Sequence, residues 1–195
     1  MTVLIVVCAT MIVGCKPPEQ ISKYTAPKDP LDLEAVSDEP GPGEPKVRIL
    51  AAIAPVGDAK ANDWYFFKIQ TVPKAGERHA KEFDEFLKSL KFAANGPPAW
   101  KLPEGWREAA NRPERIATIR MKKSQTTVEL TVTRFGGDLL ANINRWRHLQ
   151  AGLDEIKAEE IDTACRILTI DGRKVIVVDV SGPGGKAGTM PPFAK

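Results

Sequence analysis

The sequence is poor in the residues that chemistry most often needs. It holds three cysteines and two histidines in 195 residues. His79 and His148 fall on separate predicted helices, neither is read with a partner at metal-ligand spacing, and both are expected on solvated faces. No zinc or iron site is therefore called for. Cys165 opens a predicted strand without a CxxC or a helix N-terminus to lower its pKa, so it reads as a small buried thiol and not a nucleophile. With Cys8 inside an apolar N-terminal run, only Cys15 and Cys165 could pair, and no disulfide framework is expected. The stretch GPGGKAGT at 182–189 lacks the GxxxxGK[ST] order of a phosphate loop, and no cofactor is implied. Asp171 belongs to a turn and Asp179 to a strand, without a partner carboxylate for acid and base work, so no catalytic residue is assigned. A net charge of +3 without a long Lys/Arg run argues against a nucleic-acid partner.

What is present begins at the N-terminus. Residues 2–14, TVLIVVCATMIVG, form an uncharged run of 13, too short for a helix to span a bilayer and suited to a signal-peptide core. Ile12-Val13-Gly14-Cys15 resembles the lipobox of bacterial lipoproteins. That resemblance implies cleavage after Gly14, a diacylglycerol on the Cys15 sulfur and an acylated, palmitate-type amine. Several acyl chains are needed because each buried CH₂ contributes about 0.8 kcal/mol and a single chain anchors only marginally. The resemblance places the protein on the cell envelope facing the periplasm. Lys16, where an Asp would signal retention, points to the outer membrane over the inner one. A signal peptide opens with Lys or Arg, and Met1-Thr2 supplies neither, so a start upstream of Met1 is expected.

Residues 15–46 read as the lipidated cysteine and a disordered tether, because 16–46 carry seven prolines and seven acidic residues with few large apolar ones. A flexible chain of that length spans about 30 Å.

The texture changes at Val47, and residues 47–180 read as one folded domain. VRILAAIAP and DWYFFKIQ flank a turn-rich segment and predict an antiparallel pair. Residues 75–92 place Ala80, Phe83, Leu87 and Leu90 at helical spacing. Trp100-Lys101-Leu102 is read as a strand, followed by a hairpin of RIATIRM and TVELTVTRF with Val128, Leu130 and Val132 on one face. Asp138 is placed as an N-cap, with Leu139, Ile143, Trp146, Leu149 and Leu153 along one side of a second helix that Gly152 ends. CRILTI and KVIVVDV flank Asp171-Gly172, a strong hairpin signal. The order predicts an α+β fold, an antiparallel sheet of about seven strands flanked by two main helices. Trp64, Trp100 and Trp106 are expected to fill the core at strand ends. Residues 181–195 read as a flexible Gly/Pro tail with Phe193 as a docking point.

AWKLPEGW, TVELTVTRF, DLLANINRWRHLQAGL and GPGGKAGTMPPFA together resemble a planctomycete-type family of bacterial envelope lipoproteins. Asn142, Asn144, Arg145, Trp146, Arg147, Gly152 and Leu153 match its helix motif, whereas His148, Leu149 and Ala151 depart and the segment is one residue longer. That family has no established activity, so the resemblance implies architecture without chemistry. A more distant likeness is to PsbP-like domains, in which the strand pair and Phe-rich helix come last. This implies a permuted arrangement, one sheet in which residues 47–93 complete the part made by 98–180.

Two asparagines inside a helix are poor helix formers, so NINRWR draws attention. Asn142, Asn144, Arg145 and Arg147 are the candidate interaction surface. The blander alternative has the asparagines bonded to a neighbouring loop and the arginines solvated. The functional expectation is a lipid-anchored envelope protein, held to the membrane through Cys15, that binds an envelope partner without catalysis. The alternative is an envelope enzyme with a site between sheet and helix.

Overall fold

The computed structural model describes residues 38–57, 62–94, 96–110, 112–122 and 126–185. Cys15, the signal run, the first part of the tether and Phe193 lie outside the described residues.

Seven strands form one antiparallel sheet: β1 (Val47–Pro55), β2 (Asp63–Thr71), β3 (Trp106–Glu108), β4 (Ala117–Lys122), β5 (Thr127–Gly136), β6 (Arg166–Ile170) and β7 (Arg173–Gly182). Their order across the sheet is β3-β4-β5-β2-β1-β7-β6. The first hairpin thus lies at the centre, with β2 pairing β5 and β1 pairing β7. The α+β class and the single sheet expected from the sequence are what the structure has. Residues 47–71 join two strand groups that are not neighbours in the sheet.

Position explains composition. β1 is buried from Ile49 to Pro55 because both faces of the sheet are covered there, so its sequence runs apolar without alternation. β5 alternates, with Val128, Leu130 and Val132 buried and the residues between them half-buried or exposed. At the β6–β7 turn Asp171 and Gly172 both have positive φ, 50° and 77°, as a two-residue hairpin of this twist requires.

Helix α1 (Pro73–Lys88) starts on a proline at its first turn and covers one face. Phe83, Phe86, Leu87 and the following Leu90 pack with Phe67, Ile69, Ile119 and Leu130. His79 belongs to this buried stripe. It is 2% exposed, which corrects the expectation of a solvated histidine: its position four residues before Phe83 turns it inward. Its Nδ1 lies 3.1 Å from Glu82 Oε2, a partner the sequence reading did not see, and Trp106 Nε1 approaches the same oxygen at 3.5 Å.

Two further corrections concern strands and domain edges. Trp100–Leu102 is outside the sheet, and the edge strand is Trp106–Glu108; Ala99 alone makes a bridge, with Lys91. β7 continues to Gly182, and the amides of Gly184 and Gly185 donate to the carbonyls of Ala151 and Gln150, so the ordered body extends past residue 180. Asp38, inside the span read as tether, pairs with Arg78 and accepts from Thr126 Oγ1 at 2.5 Å.

The second face carries α2 (Leu139–Asn144), which runs directly into a π-helical segment, Arg145–Ala151. Asp138 caps it, accepting from the Ala141 amide at 2.8 Å, and Gly152 ends it in the left-handed conformation, as expected. The wider π turn shifts the buried stripe. Ile143, Trp146 and Ala151 face Ile49, Ala51, Phe66 and Val178, while Leu149 is rotated outward and 46% exposed. Its expected place in the stripe assumed an unbroken α-helical period. A short 3₁₀ turn (Ala158–Glu160) and α3 (Ile161–Ala164) lead into β6.

Candidate functional site

The two faces of the sheet are not covered equally. On the face bearing α2, the apolar contacts from the sheet come mostly from β1, β2 and β7. Toward β5 the same face turns polar, presenting Thr131 and Thr133 between the buried positions of the opposite face. A groove of about 1250 Å³ lies there. Phe66, Lys68, Thr131, Thr133 and Phe135 line it from the sheet, Leu140, Asn144, Arg145, Trp146 and Leu149 from the helix, and Arg112–Arg115 from the loop before β4. Ligand pockets commonly measure about 300–1000 Å³, so this groove has room for an extended molecule.

Lys68 is the unusual member. It occupies the strand phase of Trp64 and Phe66, the phase that faces α2. Its Nζ donates to Gln70 Oε1 at 2.9 Å and to Gln150 Oε1, and lies 5.8 Å from the centre of the Trp146 ring. Burial, and then the charge of Arg145, push its pKa down to about 8. The Arg145 guanidinium is itself shifted down by burial. Lys68 and Arg145, both half-buried, thus line the same groove. Glu114, Asp138 and Glu155 also line the groove, and the Asp138 carboxylate is engaged in capping α2.

The four residues singled out in NINRWR separate. Asn142 Nδ2 donates to the Asp138 carbonyl at 2.8 Å within its own helix. Asn144 grips the loop that follows the helix: its Nδ2 donates to Ile156 O at 2.8 Å and its Oδ1 accepts from Ile156 N at 2.9 Å. It lines the groove while its amide is committed to structure. Arg145 faces the groove. Arg147 does not line it; its Nε donates to Asp154 O at 3.2 Å, and its charge acts on Cys165. Cys165 is buried, and burial raises its thiol pKa.

Lys68 and the threonines were missed from sequence. The available signal was a lysine in the apolar phase of a strand, two residues after Phe66. Among the described residues, no group of three or more His, Cys, Asp or Glu is placed to hold a metal ion. Comparison with family models, with characterised proteins and with solved structures finds no match to this chain.

Proposed function

We propose that this chain is a lipid-anchored cell-envelope protein, attached through Cys15 and facing the periplasm from the outer membrane, whose α+β domain is a binding module. The lipobox-like IVGC and the charge-poor run before it support the anchor; the resemblance of the NINRWR helix to envelope lipoproteins supports the setting. The observation that carries the binding reading is the groove, whose largely apolar wall includes the half-buried Lys68 and Arg145. Such a site offers shape and charge to a ligand.

Mass spectrometry of the envelope-extracted protein tests the anchor: a mature chain beginning at Cys15 with a diacylglycerol thioether is expected, and a free Cys15 thiol overturns it. The binding module is tested by capture from envelope extracts with Arg145→Ala and Arg147→Ala as separate variants. The captured set should change for Arg145→Ala and stay for Arg147→Ala, since only Arg145 lines the groove. Identical sets for both refute the groove as the binding surface.

The depressed Lys68 amine also favours a second reading, an enzyme in which Lys68 attacks a carbonyl or accepts a proton. Its described hydrogen-bond partners are two amide oxygens, neither of which can relay a proton. Borohydride trapping with a panel of 2-oxo acids discriminates: an adduct confined to Lys68 favours the enzyme.

A further inference from the structure

We propose that one corner of the sheet, where Arg107, Arg120 and Lys122 stand together on a flat face, rests on the anionic phospholipid head groups of the membrane that holds the anchor. This rests on the lipid-anchored reading and adds to it a second, electrostatic contact made by the folded body.

Strand register builds the patch. Arg107 of β3 lies directly opposite Arg120 of β4, and residues opposite one another in an antiparallel pair share a face. Lys122 comes two residues after Arg120 on the same strand, about 7 Å further along that face. Trp106 and Met121, in the alternate phase, are buried in the core, so the three cations stand on the other side of the sheet, and all three are exposed. The carboxylate beside them is Glu129, opposite Arg120 on β5: it accepts from Arg120 Nε at 3.0 Å and lies 3.8 Å from Arg115. One acid thus serves two arginines, while Arg107 and Lys122 make no ion pair among the described residues. Glu108, next to Arg107, belongs to the opposite strand phase. Like charges directly across a ladder disfavour it, and an anionic surface laid over them turns that repulsion into attraction.

Two observations favour a membrane over a small anion as the occupant. The patch is flat: it spreads over the edge strand β3 and its neighbour β4, and none of its three cations lines the groove. The second is where the tether meets the body. Asp38, inside the span read as tether, pairs with Arg78 and accepts from Thr126 Oγ1 at 2.5 Å, and Thr126 directly precedes Thr127, the partner of Lys122 in the β4–β5 ladder. The span that leads to Cys15 is therefore held at the turn next to Lys122. Each Lys or Arg brought close to an anionic bilayer strengthens binding about fivefold, and a basic patch is the usual complement to an acyl anchor. Lys68, Thr131 and Thr118 lie opposite one another across β2, β5 and β4 in the same phase as Arg120, so this is the face that carries the groove, and the contact sets the groove beside the membrane.

The test is co-sedimentation of the full chain carrying Cys15→Ser, which removes the acyl chains, with vesicles of phosphatidylcholine alone or of phosphatidylcholine and phosphatidylglycerol in equal parts. The apolar run at 2–14 contributes alike to both, so the ratio of the two affinities reads charge. That ratio should be about twentyfold at about 0.1 M salt and fall toward one at about 1 M, as the Debye length shrinks from about 10 Å to about 3 Å. Arg107→Gln and Lys122→Gln should each cut the ratio about fivefold and together abolish it. Lys174→Gln removes the same charge from β7, next to the opposite edge strand, and should leave the ratio unchanged. Equal binding of the two vesicles, or an equal loss for Lys174→Gln, overturns the proposal. So does binding of polygalacturonate that the double variant abolishes, without any preference between vesicles. The anchor is read separately, from the mature N-terminus. A lipidated Cys15 without a vesicle preference removes this contact and leaves the anchor, whereas a vesicle preference in a chain whose Cys15 carries no lipid keeps the basic face and removes the anchor.

Discussion

Replacing Asn144 with alanine separates a structural residue from an interaction residue. Its side-chain amide makes two hydrogen bonds to one backbone unit, with Nδ2 to Ile156 O at 2.8 Å and Ile156 N to Oδ1 at 2.9 Å, both half-buried. Each such bond contributes about 0.5–1.5 kcal/mol net, and a buried group left without a partner costs about 1–3 kcal/mol. Alanine removes both bonds and leaves the Ile156 N–H and C=O facing a methyl group. Against this, alanine is the better helix former by about 0.6 kcal/mol. Two bonds less the propensity gain leave a loss of about 0.5–2.5 kcal/mol, equivalent to about 1–10 °C in Tm for a chain of this size. Ile156 packs against the core beneath α2, so the loop from Gly152 to Lys157 should loosen with it. Urea denaturation is the assay: the midpoint should fall with the slope unchanged. Asn144→Asp should cost at least as much, because a carboxylate oxygen would replace the donor and face the Ile156 carbonyl. Asn142→Ala, whose bond stays within its own helix, should cost less than about 0.7 kcal/mol. An Asn144→Ala chain as stable as its parent but defective in partner capture would refute the clamp and return Asn144 to the interaction surface.

Three further outcomes follow from the geometry. Leu149→Ala should change stability by less than about 0.5 kcal/mol, whereas Trp146→Ala should cost about 3–5 kcal/mol, because Leu149 is 46% exposed and Trp146 only 3%; equal losses in thermal melts would place the helix in unbroken α geometry. Gly185→Ala should destabilise by about 1–3 kcal/mol, since its Cβ would stand 1.8 Å from the Leu149 carbonyl oxygen and disrupt the hydrogen bond that the Gly185 N–H donates to the Gln150 carbonyl; an unchanged Tm would show that this end of the chain is not seated there. Lys68 makes stability depend on pH in a known direction: its folded pKa is lowered to about 8 from 10.5, so the unfolded chain holds the extra proton between those values. Its destabilising effect is complete below pH 8 and is relieved as the pH rises toward 10.5, and a Lys68→Met chain should lose that rise while being more stable at pH 7. A stability difference between the two chains that is the same at pH 7 and pH 10 would contradict the desolvation of Lys68.

Elements with a strong local signal were legible before the structure. The continuous apolar run of Val47–Pro55, the alternation of Thr127–Gly136 and the Asp171-Gly172 turn each state their conformation within a few residues. The second helix was legible in its caps, Asp138 and Gly152, but not in its interior. A π turn leaves no period of its own in seven residues, so Leu149, expected in the buried stripe, lies exposed while Gln150 beside it is buried. The edge strand was misplaced because Trp100–Leu102 and Trp106–Glu108 are both short and aromatic, and only the ladder with β4 distinguishes them. His79 carried the same ambiguity, since a polar residue on a helical stripe is read as exposed until a neighbour such as Glu82 is seen to receive it.

The order of hydrophobic and polar residues along the chain was enough for strand count, the antiparallel α+β class and the caps, because these depend on interactions a few residues apart. The groove depends on contacts between distant segments. Lys68 meets Gln150, Arg145 and Trp146 only because β2 pairs with β5 at the centre of the sheet and the π-extended helix stops short of β5. No local pattern encodes how far a helix reaches across a sheet, and that reach is what sets the groove beside it with Lys68 in its lining.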